Sequence, residues 1–228
     1  SPILIHAHSL LWFSAVILLV TILYRQLLKP LWVASLAALL YLLDDSNCLP
    51  ATWIGNRSLL VSLVLAISCL LAYHRWRTNN SPAAAVVSHL CLLGSLLATE
   101  GGVAIFAYLF AYAVFVDRAG WLKRALSLIP AVLIIVLWRI VYSALGHGAR
   151  GSAFIIDPAR EPLRYAVAVL ERAPILLFAQ WSGPPSETSS FARDALQRPL
   201  WLSAVVFIIL VLIVLLPLVR CNRLARFW

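Results

Sequence analysis

The sequence predicts an all-α fold: a multi-pass transmembrane bundle of about seven helices with an additional amphipathic helix lying along the outer interface. Three observations point there. The 228 residues are 63% hydrophobic and only 12% charged, with a mean hydropathy of +0.93, well outside the range of soluble globular domains. Apolar residues come in long continuous runs, whereas a β-barrel alternates over segments of about ten residues. The charges gather between the runs, and most basic residues fall on alternate connections, as the positive-inside rule requires.

The first run, 3–24, begins almost at Ser1 with no basic region and no small-residue cleavage site ahead of it. It therefore reads as a span, not a signal peptide. The sequence has no Met, and the chain is expected to be an N-terminally incomplete part of a longer protein. Further runs follow at 31–43, 58–73, 83–98, 101–116, 125–145 and 201–219. Arg25 and Lys29, Arg75 and Arg77, then Arg118, Lys123 and Arg124, and finally Arg220, Arg223 and Arg226 mark one side as cytoplasmic. The N-terminus is then outside and the C-terminus inside. Strong use of arginine over lysine suggests a GC-rich bacterial source, and with it the bacterial inner membrane.

The opposite connections carry Asp44, Asp45, Arg57 and Glu100. The 31–43 run rises only about 20 Å as a helix, against a hydrocarbon core of about 30 Å. Either the acid pair lies below the outer surface in a pocket open to the outside, or the membrane is thin or the helix starts deeper in it.

Within 83–98, Ser88, Cys91, Ser95 and Thr99 form a small polar stripe at helical spacing, which reads as a helix-packing face. His89 and Glu100 lie on the neighbouring face; for His89 a hydrogen-bonded packing role is preferred to a proton relay. Arg139, within VLWRIVY, either snorkels to the outer headgroups or binds an anionic one. Pro130 and Pro217 are expected to kink their helices.

Three parts result: a transmembrane core over 1–146, an extracytoplasmic loop over 147–200, and a last span with a basic tail over 201–228. Inside the loop, 161–172 has helical amphipathicity, with Leu163, Val167 and Leu170 as its apolar side. Pro174 is expected to interrupt that helix.

The net charge of +9 does not imply nucleic acid, because its basic residues sit in membrane loops and not on a folded basic surface. Cys48, Cys69, Cys91 and Cys221 have neither CxxC nor histidine spacing, which argues against a disulfide framework or a zinc site. P-loop, GxSxG and HExxH patterns are absent. What is left is the outer cluster. A carboxylate can take the proton of an attacking hydroxyl, and an arginine can stabilise a departing phosphate bidentately.

The stretch YLLDDSNCLPATWIGNRSLL, followed by LLATEGGVAIFAYLFAYAVFVD, resembles the C-type membrane glycosyltransferases, in particular the protein O-mannosyltransferase-like group. Their corresponding stretches read approximately FALHPVHTEAVAWISGRKDLL and LLSKETAVTLPLLLLLYD. Trp53, Ile54 and Arg57 coincide with the group's Trp, Ile and Arg, and Glu100 with the Glu of its Lys-Glu pair. The resemblance spans about 9–117 and implies transfer of a sugar from a polyprenyl-phosphate carrier to an extracytoplasmic acceptor, with inversion. Taken with the outer charges, it suggests Asp44, Asp45 and Glu100 as the catalytic set and Arg57 and Trp53 as donor-binding residues, while Arg139, beyond the span of the resemblance, is a second phosphate candidate on its charge alone. No cofactor is implied beyond a possible divalent cation. The chain departs from the HPxHTE motif: Asp44 and Asn47 replace its histidines and Leu49 its glutamate, while Thr99 replaces the lysine before Glu100. The role of that motif therefore does not carry over to Asn47 or Leu49. The group's catalytic acid lies further upstream, in a first outer loop that would precede Ser1. Two other readings stand beside this one, a non-enzymatic scaffold or lipid-binding relative and a transporter subunit in which Asp44, Glu100 and His89 titrate.

Overall fold

A computed structural model describes residues 2–44, 52–148, 156, 158, 160–181 and 194–227. Every described regular element is helical, so the fold is all-α. Four helices are long and apolar enough to cross a membrane: His6–Leu27, Arg57–Asn79, Trp121–Ala144 and Gln197–Cys221. The shorter apolar segments Leu31–Leu43, Pro82–Ala98 and Glu100–Val116 are helical too. The chain divides into two compact units, Ser1–Val141 with Arg226–Trp228, and Tyr142–Ala225.

The first unit opens with α1 (Pro2–Leu27) and α2 (Leu31–Leu43), which pack against each other. Ser9, Val16, Val20 and Leu23 are buried on α1, a spacing that keeps them on one helical face. A turn of 3-10 helix, Ile54–Asn56, leads into α3 (Arg57–Asn79), which packs along α1 and more extensively along α4 (Pro82–Ala98). Local chemistry makes the α3–α4 hairpin. Asn80 takes a left-handed conformation (φ 52°) after α3, one that asparagine tolerates well at a helix end. The Ser81 hydroxyl accepts from the Ala84 amide (3.4 Å) and Pro82 occupies the first turn, where its missing N–H costs nothing.

The small polar stripe faces α3. Ser62 and Ser95 hydroxyls lie 2.8 Å apart, and each also donates to the other residue's carbonyl at 3.1 Å. One turn-pair further on, the Ser88 hydroxyl donates to the Cys69 carbonyl at 3.0 Å. These hydroxyls hold two backbones together where an apolar solvent would offer no other partner. Cys91, in contrast, is only partly buried.

The 101–116 segment is not one uniform helix. It begins as 3-10 helix (Glu100–Ala104), continues as α5 (Ile105–Ala111) and ends in a π turn (Tyr112–Val116). At its start Gly102 is pressed on α4: a Cβ there would lie 2.7 Å from the carbonyl carbon and oxygen of Ser95. At its end Arg124 donates to the Ala113 and Val114 carbonyls at 3.3 and 3.2 Å, partners for groups that the helix end leaves open. The last long helix of this unit, α6 (Trp121–Ala144), continues through Pro130. It closes on Gly146 (φ 81°), with Gly146 N–H bonded to Ser143 and His147 N–H to Tyr142. That pair of bonds is a Schellman motif.

The second unit contains α7 (Pro162–Trp181) and α8 (Asp194–Cys221), which pack together; the five-residue α9 (Arg223–Phe227) follows, and its last two residues belong to the first unit. Phe178 and Phe207 meet with ring centroids 5.1 Å apart. Two sequence expectations are revised here. Pro174 does not interrupt α7, which runs through it. The carbonyl that proline leaves without a helical donor is that of Leu170, and it receives the Trp201 indole N–H at 3.2 Å. Likewise α8 begins at Asp194, well before the apolar run at 201, and passes through both Pro199 and Pro217.

Candidate functional site

The α3–α4 register decides which site residues come together. Ser62 faces Ser95 and Cys69 faces Ser88, so each step of seven along α3 is matched by seven back along α4. Continued toward the start of α3, this register sets Arg57 near the end of α4, after which Thr99 is extended and Glu100 opens the next turn. Arg57 is the first residue of α3, half-buried, and its Nε donates to the Ser9 hydroxyl of α1 at 3.4 Å. The guanidinium is therefore added to a helix N-terminus that already carries positive potential. Glu100 is exposed at the opening of the 3-10 turn. Its place is fixed by the Thr99 N–H bond to Ser95 (3.2 Å), the Gly102 N–H bond to Thr99 (3.0 Å) and the contact of Gly102 with Ser95.

Asp44 directly follows α2 in extended conformation and is half-exposed. Because α2 runs back along α1, this residue belongs to the same end of the unit as Arg57. Asp45 lies outside the described residues. Trp53 is 60% exposed, just ahead of the turn that starts α3. Arg139 is exposed on α6, about 18 Å along the helix from Ser127, and Arg57 is about 24 Å along α3 from Tyr73. Ser127 and Tyr73 are hydrogen-bonded at 2.6 Å, which anchors the start of α6 near the end of α3 that is far from Arg57.

Below this end lies an apolar cavity of about 220 Å³, with Tyr24, Tyr41 and Tyr108 among its walls and Gly101 and Gly102 at its edge. Among the described residues no group of three or more His, Cys, Asp or Glu is placed to hold a metal ion.

The opposite end of the unit holds a polar cluster that the sequence reading did not identify. Arg77 Nε donates to Asp117 Oδ2 at 2.7 Å, with side chains 11% and 4% exposed. Asp117 Oδ1 also accepts from the Ala119 amide at 2.9 Å. His74 Nδ1 and the Tyr112 hydroxyl lie 2.6 Å apart. The Tyr73 and Tyr112 rings meet edge to face at 5.5 Å, and Phe227 packs on Tyr112 at 6.1 Å. His89 bonds the Ala85 carbonyl through Nδ1 at 2.7 Å and packs on Trp76. One signal in the sequence marked Asp117: it is the acid among the arginine-bearing connections.

No protein-family model, curated protein or solved structure matches the chain.

Proposed function

We propose that the chain is a seven-span glycosyltransferase-like protein of the bacterial inner membrane, with its N-terminus outside and its C-terminus in the cytoplasm. It transfers a sugar from a polyprenyl-phosphate carrier to an acceptor at the extracytoplasmic face. The observation that carries this reading is Arg57: a half-buried guanidinium at the first position of a 23-residue helix, held on Ser9. A half-buried guanidinium can hold the oxygens of a departing polyprenyl phosphate bidentately. The resemblance of the flanking sequence supplies the donor class.

In this scheme a carboxylate of the Asp44–Asp45 pair takes the proton of the acceptor hydroxyl. The hydroxyl oxygen attacks the anomeric carbon while the bond to the phosphate oxygen breaks, which inverts the configuration. The phosphate leaves with the electron pair and is stabilised by Arg57, with Arg139 as a second cation and Trp53 beside the sugar. Glu100 orients the donor. A divalent cation, if one takes part, binds at the aspartate pair.

The test uses membranes containing the full-length protein and a panel of labelled polyprenyl-phosphate sugars. Donor consumption is expected for the natural protein and not for an Asp44→Asn/Asp45→Asn variant expressed equally well. Arg57→Ala is expected to weaken donor binding by tenfold or more, on the order of 1.5–3 kcal/mol for a charge-assisted bond. Unchanged donor affinity in that variant removes the central part of the scheme. Donor binding without turnover favours the second reading, a lipid-binding relative without enzymatic activity, which the replacement of both motif histidines by Asp44 and Asn47 supports.

A further inference from the structure

The opposite end of the first unit carries a separate opening that glycosyl transfer does not use. A groove of about 750 Å³ lies among α1, α3 and α4, and its polar lining includes Gln26, His74, Arg75, Thr78, Asn79 and Ser81. Ile22, Leu71 and Val87 form its apolar wall. Arg75, Thr78 and Asn79 are spaced at three and four residues on α3, so they share one face. His74 is held from behind by Tyr112, 2.6 Å from its Nδ1.

Arg75 and Arg77 stand two residues apart and meet different surroundings. Arg77 turns to Asp117 and is buried in an ion pair, whereas Arg75 is exposed, lines the groove and has no acidic partner among the described residues. The groove thus joins an uncompensated guanidinium, several neutral hydrogen-bonding groups and an apolar wall. Val87 and Leu90 continue that wall as exposed surface along α4.

We propose that this groove binds the phosphate headgroup of an anionic phospholipid, with the phosphate on Arg75 and one acyl chain along Val87 and Leu90. A guanidinium accepts a phosphate bidentately, and basic pockets between membrane helices are suited to anionic headgroups. The apolar wall distinguishes a lipid from a soluble phosphate, since only the lipid covers it. This site stands independently of the sugar-transfer reading, from which it is separated by most of the length of α3.

The test is lipid retention by the purified full chain in detergent, followed by native mass spectrometry with three probes: phosphatidylglycerol, phosphatidylcholine and glycerol 3-phosphate. Phosphatidylglycerol is expected to be retained in preference to phosphatidylcholine. Arg75→Gln is expected to weaken that retention about fivefold, as loss of one membrane-surface cation implies. Asn79→Glu, which sets a carboxylate in the same groove, is expected to weaken it further, and Arg75→Lys is expected to keep most of it. Lys123→Gln, an exposed cation on α6 outside the groove, is expected to leave retention unchanged. Equal retention by Arg75→Gln and the natural protein overturns the site, and so does an equal loss in Lys123→Gln, which makes the effect one of general charge. Equal retention of phosphatidylcholine overturns the anionic selectivity. Glycerol 3-phosphate competing as well as the lipid overturns the lipid assignment in favour of a soluble phosphate.

Discussion

Trp201 donates its indole N–H to the carbonyl of Leu170 across 3.2 Å, and Leu170 lies four residues before Pro174. A proline inside a helix removes the donor that would serve that carbonyl. The bond from α8 therefore replaces one that α7 cannot make for itself, and it explains how α7 continues to Trp181. In an apolar environment an unserved carbonyl is more costly than in water.

Trp201→Phe keeps the aromatic bulk and removes the donor. It is expected to cost about 1 kcal/mol, read as a fall of about 2–4 °C in the thermal midpoint of the detergent-solubilised protein. The same substitution in a Pro174→Ala background should cost less, because the Leu170 carbonyl regains a donor within its own helix. Equal costs in the two backgrounds would show that the bond does not compensate for the proline.

The Arg77–Asp117 pair ties the last turn of α3 to the end of the π turn. Removing one partner leaves a charge in a place made for two, so Asp117→Asn is expected to destabilise by about 3 kcal/mol. Arg77→Met combined with Asp117→Leu removes both charges and is expected to cost less than either single change. The measurement is a double-mutant cycle on thermal stability. Additive single and double costs would mean that the two side chains do not depend on each other.

The helical plan was legible because continuous apolar runs and alternate basic connections leave few other solutions. The packing role of Ser88 and Ser95 was legible for a similar reason, since their spacing puts them on one face. The Arg77–Asp117 pair was not, because forty residues separate its members and nothing in the periodicity of α3 says which acid its end will meet. Pro174 misled for a related reason. Its local rule describes a helix alone, and the Trp201 donor comes from thirty-one residues away. At the candidate site, the separate residues Asp44, Arg57 and Glu100 were visible as charges between apolar runs. What sequence did not contain was the α3–α4 register fixed by the Ser62–Ser95 contact, or the bond from Arg57 to Ser9 of α1.

Adjacent glycines at the start of the Glu100 turn give a sharp test of that register. A Cβ on Gly102 would lie 2.6 Å from the Ser95 hydroxyl oxygen and 2.7 Å from its carbonyl carbon and oxygen, whereas on Gly101 its nearest neighbour would be Thr99 at 3.9 Å. The hydroxyl can rotate, but the carbonyl belongs to α4 and is fixed by the α3–α4 contact. Gly102→Ala must therefore push the Glu100 turn away from Ser95 and is expected to cost about 1–3 kcal/mol. Gly101→Ala meets only ordinary contacts and should change stability by about 0.5 kcal/mol or less. If Glu100 orients a donor from this turn, Gly102→Ala also lowers turnover in the proportion of molecules that remain folded, and Gly101→Ala does not. Thermal midpoints and turnover per folded protein separate the two effects, and equal tolerance of both substitutions would mean that Gly102 does not rest on α4.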